Sequence, residues 1–185
     1  MVKIPEPIKG FFTKHPGLYD FLKDLAFSLA VVAVIGAVLY IYAGIWPPMV
    51  SVDGISMLPN MDNGDLVFIQ GLNRGGVMTY EESLSTGYKA YGDYGDVIVY
   101  KPYGDPSMPL VIHRAIKWVN ESETYHPGLP PAQGSGYITR GDNNNGVYDQ
   151  ATNICYGEPV REEWILGIAR FKIPYLGYLR SMISL

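Results

Sequence analysis

The sequence predicts a mainly β domain that follows a single N-terminal membrane-spanning helix. Residues 25–46 carry no charge, and the chain after them consists of short apolar runs separated by Gly-Asp and Asn-Gly pairs. With the helix set aside, roughly 140 residues remain, which is enough for one hydrophobic core. We therefore expect a preceding segment at residues 1–24, a helix at residues 25–46, and one domain at residues 47–185.

The uncharged run has the length and flanking charges of a transmembrane helix. As an α-helix it would extend about 33 Å, close to the ~30 Å hydrocarbon core of a bilayer. Lysines precede the run, and neither Lys nor Arg follows it until Arg74. The positive-inside rule therefore predicts a cytoplasmic N-terminus, an extracytoplasmic domain and the lipid bilayer as a partner. Pro47 and Pro48 are expected to end the helix, because proline has no backbone N–H to donate.

Five runs rich in valine, isoleucine and aromatic residues predict β-strands. Two long polar connections, residues 71–95 and 120–135, show no helical period and are expected to be surface insertions. The predicted strands cover residues 65–70, 96–101, 110–119, 136–140 and 164–172.

Charge and cysteine content exclude two classes of protein. The net charge is -4, and the Lys and Arg residues are scattered, which argues against nucleic acid as a partner. Cys155 is the single cysteine, so the domain cannot contain an internal disulfide.

Ser56 is the candidate nucleophile, in the segment Gly54-Ile55-Ser56-Met57-Leu58-Pro59. Its hydroxyl follows the helix so closely that it cannot lie more than ~30 Å from the end of the helix. Such a tether suits a substrate that also emerges from the membrane. A serine hydroxyl needs a base to remove its proton before it can attack a carbonyl group.

His113 is the preferred base, because it lies in an apolar strand that can hold an imidazole rigidly. Alternation places Val111, His113 and Ala115 on one face of that strand. His126 lies in a loop, and His15 lies on the cytoplasmic side. Lys101 and Lys117 are alternative bases, but a lysine must be desolvated to lose its proton near neutral pH.

A carboxylate is expected to orient the histidine, and the segment from Thr139 to Asp149 offers two. Asp142 follows Gly141 in a run of asparagines, and Asp149 closes the segment. Both are also ordinary turn residues. The residues alone leave open which of them faces His113.

Taken in chain order, these segments resemble type I signal peptidases of the archaeal and endoplasmic-reticulum branch. The resemblance extends from the predicted helix almost to the C-terminus. It is carried by Ser56-Met57-Leu58-Pro59, Gly95-Asp96-Val97-Ile98-Val99-Tyr100, Ile112-His113-Arg114, Gly141-Asp142-Asn143-Asn144, Gly167-Ile168-Ala169-Arg170 and Pro174-Tyr175-Leu176-Gly177.

The resemblance implies an antiparallel β-sheet catalytic domain that cuts signal-peptide-bearing preproteins after small residues. Ser56 would be the nucleophile and His113 the general base, at the position of the lysine base in the bacterial branch. Asp149 is favoured as the partner of His113, and Asp142 would brace the turn. No cofactor and no metal are expected. The membrane would be the cell membrane or the endoplasmic reticulum, with accessory subunits left open.

Two departures from the family pattern keep other functions open. The family usually has a serine at position 54 that donates to the oxyanion, whereas this chain has Gly54. The spacing from Asp142 to Asp149 is also longer than expected. The alternatives are a membrane-anchored β domain that binds peptides without cleaving them, and a peptidase with a serine–lysine pair.

Overall fold

The computed structural model describes residues 16–178. The chain divides into two compact units, Met1–Ile41 and Tyr42–Leu185. The described part of the first unit belongs to one helix, and the second unit contains all the β-strands. The predicted mainly β domain behind a single apolar helix is therefore confirmed.

The helix α1 covers Pro16–Ala43. Within it, Gly17–Ala43 is long and apolar enough to cross a membrane. The helix begins earlier than predicted, because the charged residues before residue 25 are also compatible with a helix. The prediction that Pro47 and Pro48 end it was wrong. Gly44, whose φ of +68° is left-handed, follows the last helical residue and ends it first.

The strands form a six-stranded sheet in the order β1-β2-β8-β5-β6-β7 and a small hairpin of β3 and β4, with antiparallel pairing throughout. All five predicted strands are present, with ends that differ by single residues. The strands are β1 Met49–Ser51, β2 Leu66–Gln70, β3 Lys89–Ala90, β4 Asp93–Tyr94, β5 Val97–Tyr100, β6 Val111–Val119, β7 Gly136–Arg140 and β8 Ile165–Ile173.

The strand β5 lies between β8 and β6 and is buried on both faces. Val97 and Val99 pack into one hydrophobic cluster with Met57 and Met61. Ile98 and Tyr100 face the opposite cluster, which also contains Ala115 of β6. Side chains alternate between the two faces, as the period of a strand requires. The continuous burial explains why β5 is apolar at every position.

The prediction that residues 71–95 lack a helix was wrong. Helix α2 covers Tyr80–Thr86 and begins with a capping box: the side chain of Thr79 accepts from the backbone N–H of Glu82, and the carboxylate of Glu82 accepts from the backbone N–H of Thr79. The helix is short, so the capping residues are a clearer signal than apolar periodicity. Strand β1 was also not predicted; it directly follows the Pro47-Pro48 pair, which we interpreted only as the end of the helix.

Candidate active site

Ser56 lies in a tight loop between β1 and β2 that the hydrophobic core anchors. Met57 and Met61 are buried in the first cluster. The backbone N–H groups of Asn60 and Met61 both donate to the carbonyl oxygen of Met57, at 2.9 Å. Packing and backbone hydrogen bonds therefore set the position of Ser56 relative to the sheet.

His113 directs its imidazole toward this loop from β6. It pairs with Ile98 of β5 and is 3% exposed. Its Nε2 lies 2.9 Å from Oγ of Ser56. Val111 and Ala115 pack with the second hydrophobic cluster, in agreement with the face that alternation predicts for His113.

Asp149 contacts the other nitrogen of the imidazole. It begins a short 3-10 helix, Asp149–Ala151, and is completely buried. Its Oδ2 lies 2.7 Å from Nδ1 of His113. An ionised carboxylate can only accept hydrogen bonds, so this contact places a proton on Nδ1. Nε2 then accepts the hydroxyl proton of Ser56, which is the tautomer that a general base requires.

Two hydroxyl groups also donate to Oδ2 of Asp149, the oxygen that faces His113. Oη of Tyr100 lies 2.8 Å from Oδ2 of Asp149, and Oγ1 of Thr139 lies 2.6 Å from it. Burial raises the pKa of Tyr100 well above its ordinary value, so its hydroxyl stays protonated. Sequence reasoning did not identify either residue. A tyrosine in an otherwise aliphatic strand is the one signal that could have identified Tyr100.

Asp142 lies on a different network and does not contact His113. Its carboxylate accepts from Nε of Arg114 at 2.8 Å and from Nη2 of Arg114 at 2.7 Å. It also accepts from Nδ2 of Asn60 at 2.7 Å. Arg114 is adjacent to His113 on β6 and points to the opposite face. Asp142 thus connects the strand that carries His113 to the loop that carries Ser56.

The turn at Gly141-Asp142-Asn143 also holds the backbone of the Ser56 loop. The backbone N–H of Asn143 donates to the carbonyl oxygen of Ser56 at 2.8 Å, and its side-chain amide donates to that of Ile55 at 3.1 Å. A Cβ atom on Gly141 would lie 2.7 Å from the Ser56 oxygen. Glycine is therefore needed here for the close approach of two backbones.

A cavity of about 370 Å³ borders Ser56 and His113. Residues 50–53 line it from β1 and the segment that follows, and residues 110–113 line it from the start of β6. Three strands separate β1 from β6 in the sheet, so the sheet must curve to bring both to one cavity. Asp53 and His113 are the titratable residues among its lining.

Gly54 has no side chain to offer an oxyanion, and its φ of +117° is one that other residues rarely adopt. Among the described residues, the backbone N–H of Ser56 donates no hydrogen bond. Asn144 also lines the cavity, and its side-chain amide makes no hydrogen bond within residues 16–178. Both groups border the cavity without accepting partners among the described residues.

The other candidate bases lie away from Ser56. Nζ of Lys117 contacts the carbonyl oxygen of Tyr125 at 3.5 Å, and Lys101 follows β5, where its backbone N–H donates to Trp164. The ring of His126 packs edge-on against Tyr148. His15 lies outside the described residues. Within those residues, the base that contacts Ser56 is His113.

Comparison with known proteins shows the family to which the chain belongs. No family model matches the chain. The chain is 32% identical over 146 residues to the signal peptidase complex catalytic subunit sec11 of Schizosaccharomyces pombe, and the match covers 74% of this chain and 67% of that protein.

Two further relatives carry the same name. The protein from Aspergillus terreus is 29% identical over 154 residues, covering 79% of this chain and 70% of the relative. The protein from Talaromyces marneffei is 28% identical over 145 residues, covering 74% and 65%. The chain therefore belongs to the signal peptidase family, in the branch of these catalytic subunits, and is a serine endopeptidase.

Proposed function

We propose that this chain removes signal peptides from secretory precursors with Ser56 as nucleophile, His113 as general base and Asp149 as the group that orients His113. The observation that supports the proposal most is the continuous contact from Oγ of Ser56 through both imidazole nitrogens to Asp149, at 2.9 Å and 2.7 Å. Nucleophile, base and orienting acid lie in the order and at the spacing that acyl transfer needs.

In the first half of the reaction, Nε2 of His113 takes the hydroxyl proton of Ser56 while Oγ bonds to the scissile carbonyl carbon. The C–N bond then breaks, and the imidazolium returns the proton to the leaving amine. In the second half, His113 deprotonates a water molecule that attacks the acyl ester. The ester C–Oγ bond then breaks, and the imidazolium returns the proton to Oγ of Ser56. Asp149 keeps its negative charge throughout and stabilises the imidazolium.

The cavity suits an extended peptide. Strand β1 is at the edge of the sheet, so its outer backbone groups can pair with an added strand. Residues 50–53 and 110–113 line the cavity together with Ser56. We propose that small side chains before the cut occupy this space, in agreement with the preference that the family implies.

We infer the location of the chain from the apolar helix α1 and from the charges before it. We propose that Gly17–Ala43 spans the membrane with the N-terminus in the cytoplasm, because lysines concentrate before the helix. The β domain would then meet precursors on the far side, at the endoplasmic reticulum or an archaeal cell membrane. The relatives are named as subunits of a complex, so we also propose that accessory subunits assist this chain.

Cleavage of a preprotein by the full chain in detergent tests the proposal. Ser56→Ala and His113→Ala should each lower kcat at least about a thousandfold, because each removes a member of the reacting unit. The matched control is Ser107→Ala, which removes an exposed hydroxyl that bonds to Asp105. Near wild-type turnover by a folded Ser56→Ala protein would exclude the proposed nucleophile. Loss of turnover in Lys101→Ala or Lys117→Ala, with His113→Ala active, would favour a lysine base instead.

A further inference from the structure

The two oxygens of the buried Asp149 carboxylate have very different surroundings. Oδ2 is within hydrogen-bond distance of three donors: Nδ1 of His113, Oη of Tyr100 and Oγ1 of Thr139. Oδ1 is buried and has no hydrogen-bond partner among the described residues. All the polar stabilisation that these residues offer the anion is therefore concentrated on the oxygen that faces the imidazole.

The protons in this cluster can be assigned. Oη of Tyr100 and Oγ1 of Thr139 lie 3.2 Å apart, and each has one proton to donate. Because Asp149 is closer to both than they are to each other, both protons point to Oδ2. Three donated hydrogen bonds to one oxygen favour the ionised carboxylate. A proton on Oδ2 would leave at least one donor without an acceptor.

Each hydroxyl is held by the sheet itself. Tyr100 ends β5 and is completely buried, and Thr139 lies on β7 with its backbone N–H donating to Oε1 of the buried Gln150. The remaining titratable group beside the cluster is Cys155. Burial raises the pKa of its thiol to about 12, so it stays neutral. Tyr100, Thr139 and His113 thus act on Asp149 from three adjacent strands.

We propose that Tyr100 and Thr139 are positioning residues that act through Asp149: they fix its carboxylate and moderate the basicity of His113. This inference rests on the proposed function. Two hydroxyl donors spread the negative charge of Oδ2 and reduce its attraction for an imidazolium. Loss of either hydroxyl would therefore strengthen that attraction and loosen the carboxylate that holds the His113 ring in line with Ser56.

The test compares Tyr100→Phe with Tyr91→Phe in the full chain. Both changes remove a buried phenol hydroxyl, but that of Tyr91 has no hydrogen-bond partner among the described residues. Tyr100→Phe should lower kcat about tenfold with little change in KM, and move the acid limb of the activity profile to higher pH by about half a unit or more. Tyr91→Phe should change neither. Identical profiles for the two variants, or a shift to lower pH in Tyr100→Phe, would overturn the proposal.

Thr139 provides a second test that does not depend on the stability of Tyr100→Phe. Thr139→Val keeps the shape of the side chain and removes the hydroxyl, so it should shift the profile in the same direction. Thr139→Ser keeps the hydroxyl and should restore the wild-type profile. A profile of Thr139→Val equal to that of Thr139→Ser would count against the role of this hydroxyl.

A measurement without catalysis separates this inference from the proposed function. In the Ser56→Ala protein, NMR can follow the His113 imidazole, assigned by its loss in His113→Gln. Adding Tyr100→Phe should move the pH midpoint of that signal upward, whether or not Ser56 is the nucleophile. An unchanged midpoint would refute the positioning role, whereas cleavage by Ser56→Ala would refute the proposed nucleophile alone.

Discussion

Arg114 and Asp142 form a buried, bidentate ion pair that connects three parts of the site. Nε and Nη2 of Arg114 donate to the two carboxylate oxygens, and Nη1 donates to the carbonyl oxygens of Ala90 and Gly95 beside the β3–β4 hairpin, at 2.9 Å and 2.8 Å. The carboxylate also holds Asn60 in the Ser56 loop. The pair therefore connects the hairpin, β6 and the loop that carries Ser56.

Asp142→Asn should mainly reduce stability. The change leaves the guanidinium of Arg114 buried without its counter-charge, and breaking a buried pair in this way typically costs about 3–5 kcal/mol. We expect a fall of that size in the free energy of unfolding, measured with denaturant, together with lower activity, because asparagine offers one oxygen to the three donors that the carboxylate accepts from. An unfolding midpoint equal to that of the wild type would contradict the structural role of this pair.

Asp149→Asn should show the opposite balance, with a large loss of turnover and a smaller loss of stability. An asparagine amide can donate to Nδ1 of His113, which places the imidazole proton on Nε2 and blocks its use as a base. We expect kcat to fall about a thousandfold or more, measured on protein whose circular dichroism matches that of the wild type. Asp142→Asn, assayed at a temperature where it remains folded, is the comparison. A smaller loss of kcat in Asp149→Asn than in Asp142→Asn would reverse the two assignments.

Strand patterns were sufficient to predict most of the sheet and the placement of His113. A run such as β6 is apolar because its side chains are buried, and a histidine within it attracts notice for the same reason. Alternation shows which face a side chain occupies, but not which residues of other strands lie beside it. Tyr100 and Thr139 meet Asp149 only through the pairing order β5-β6-β7, which the sequence does not encode locally.

The choice between Asp142 and Asp149 also depended on structure that the sequence does not show. Both lie in the same polar segment, and the side chains of both are largely buried. They differ in their contacts. The chain between Gly141 and Asp149 brings Asp149 against His113 of β6, whereas Asp142 contacts Arg114. The sequence could not supply the partner of Asp142 either, because the position of Arg114 on a strand does not show which loop its side chain contacts.

Gly141→Ala should impair turnover more than folding. The new Cβ would lie 2.7 Å from the carbonyl oxygen of Ser56. Because this oxygen is a backbone atom, the loop that carries Ser56 must shift to relieve the contact. Overpacking of this kind typically costs about 1–3 kcal/mol of stability. We expect kcat to fall about tenfold or more, since the shift displaces Ser56 from His113. Gly76→Ala is the control, because nothing lies within 4 Å of its Cβ position. Equal kcat values for the two variants would contradict a close contact between Gly141 and the backbone of Ser56.

The ion pair between Asp65 and Lys172 should contribute to the stability of the β domain in acid. Burial alone would raise the pKa of Asp65, but the backbone N–H of Asp62 and the ammonium of Lys172, 2.6 Å away, together lower it below its ordinary value. A lowered folded-state pKa gives stability that is present above the unfolded value of about 3.9 and is lost as pH falls through the folded value.

Lys172→Met should therefore move the midpoint of acid unfolding, measured by tryptophan fluorescence, to higher pH. Arg161→Gln, which breaks a more exposed pair with Glu158 at 3.9 Å, should leave the midpoint unchanged. Because Asp65 precedes β2, a midpoint in Lys172→Met no higher than in Arg161→Gln would mean that this pair does not stabilise the start of that strand.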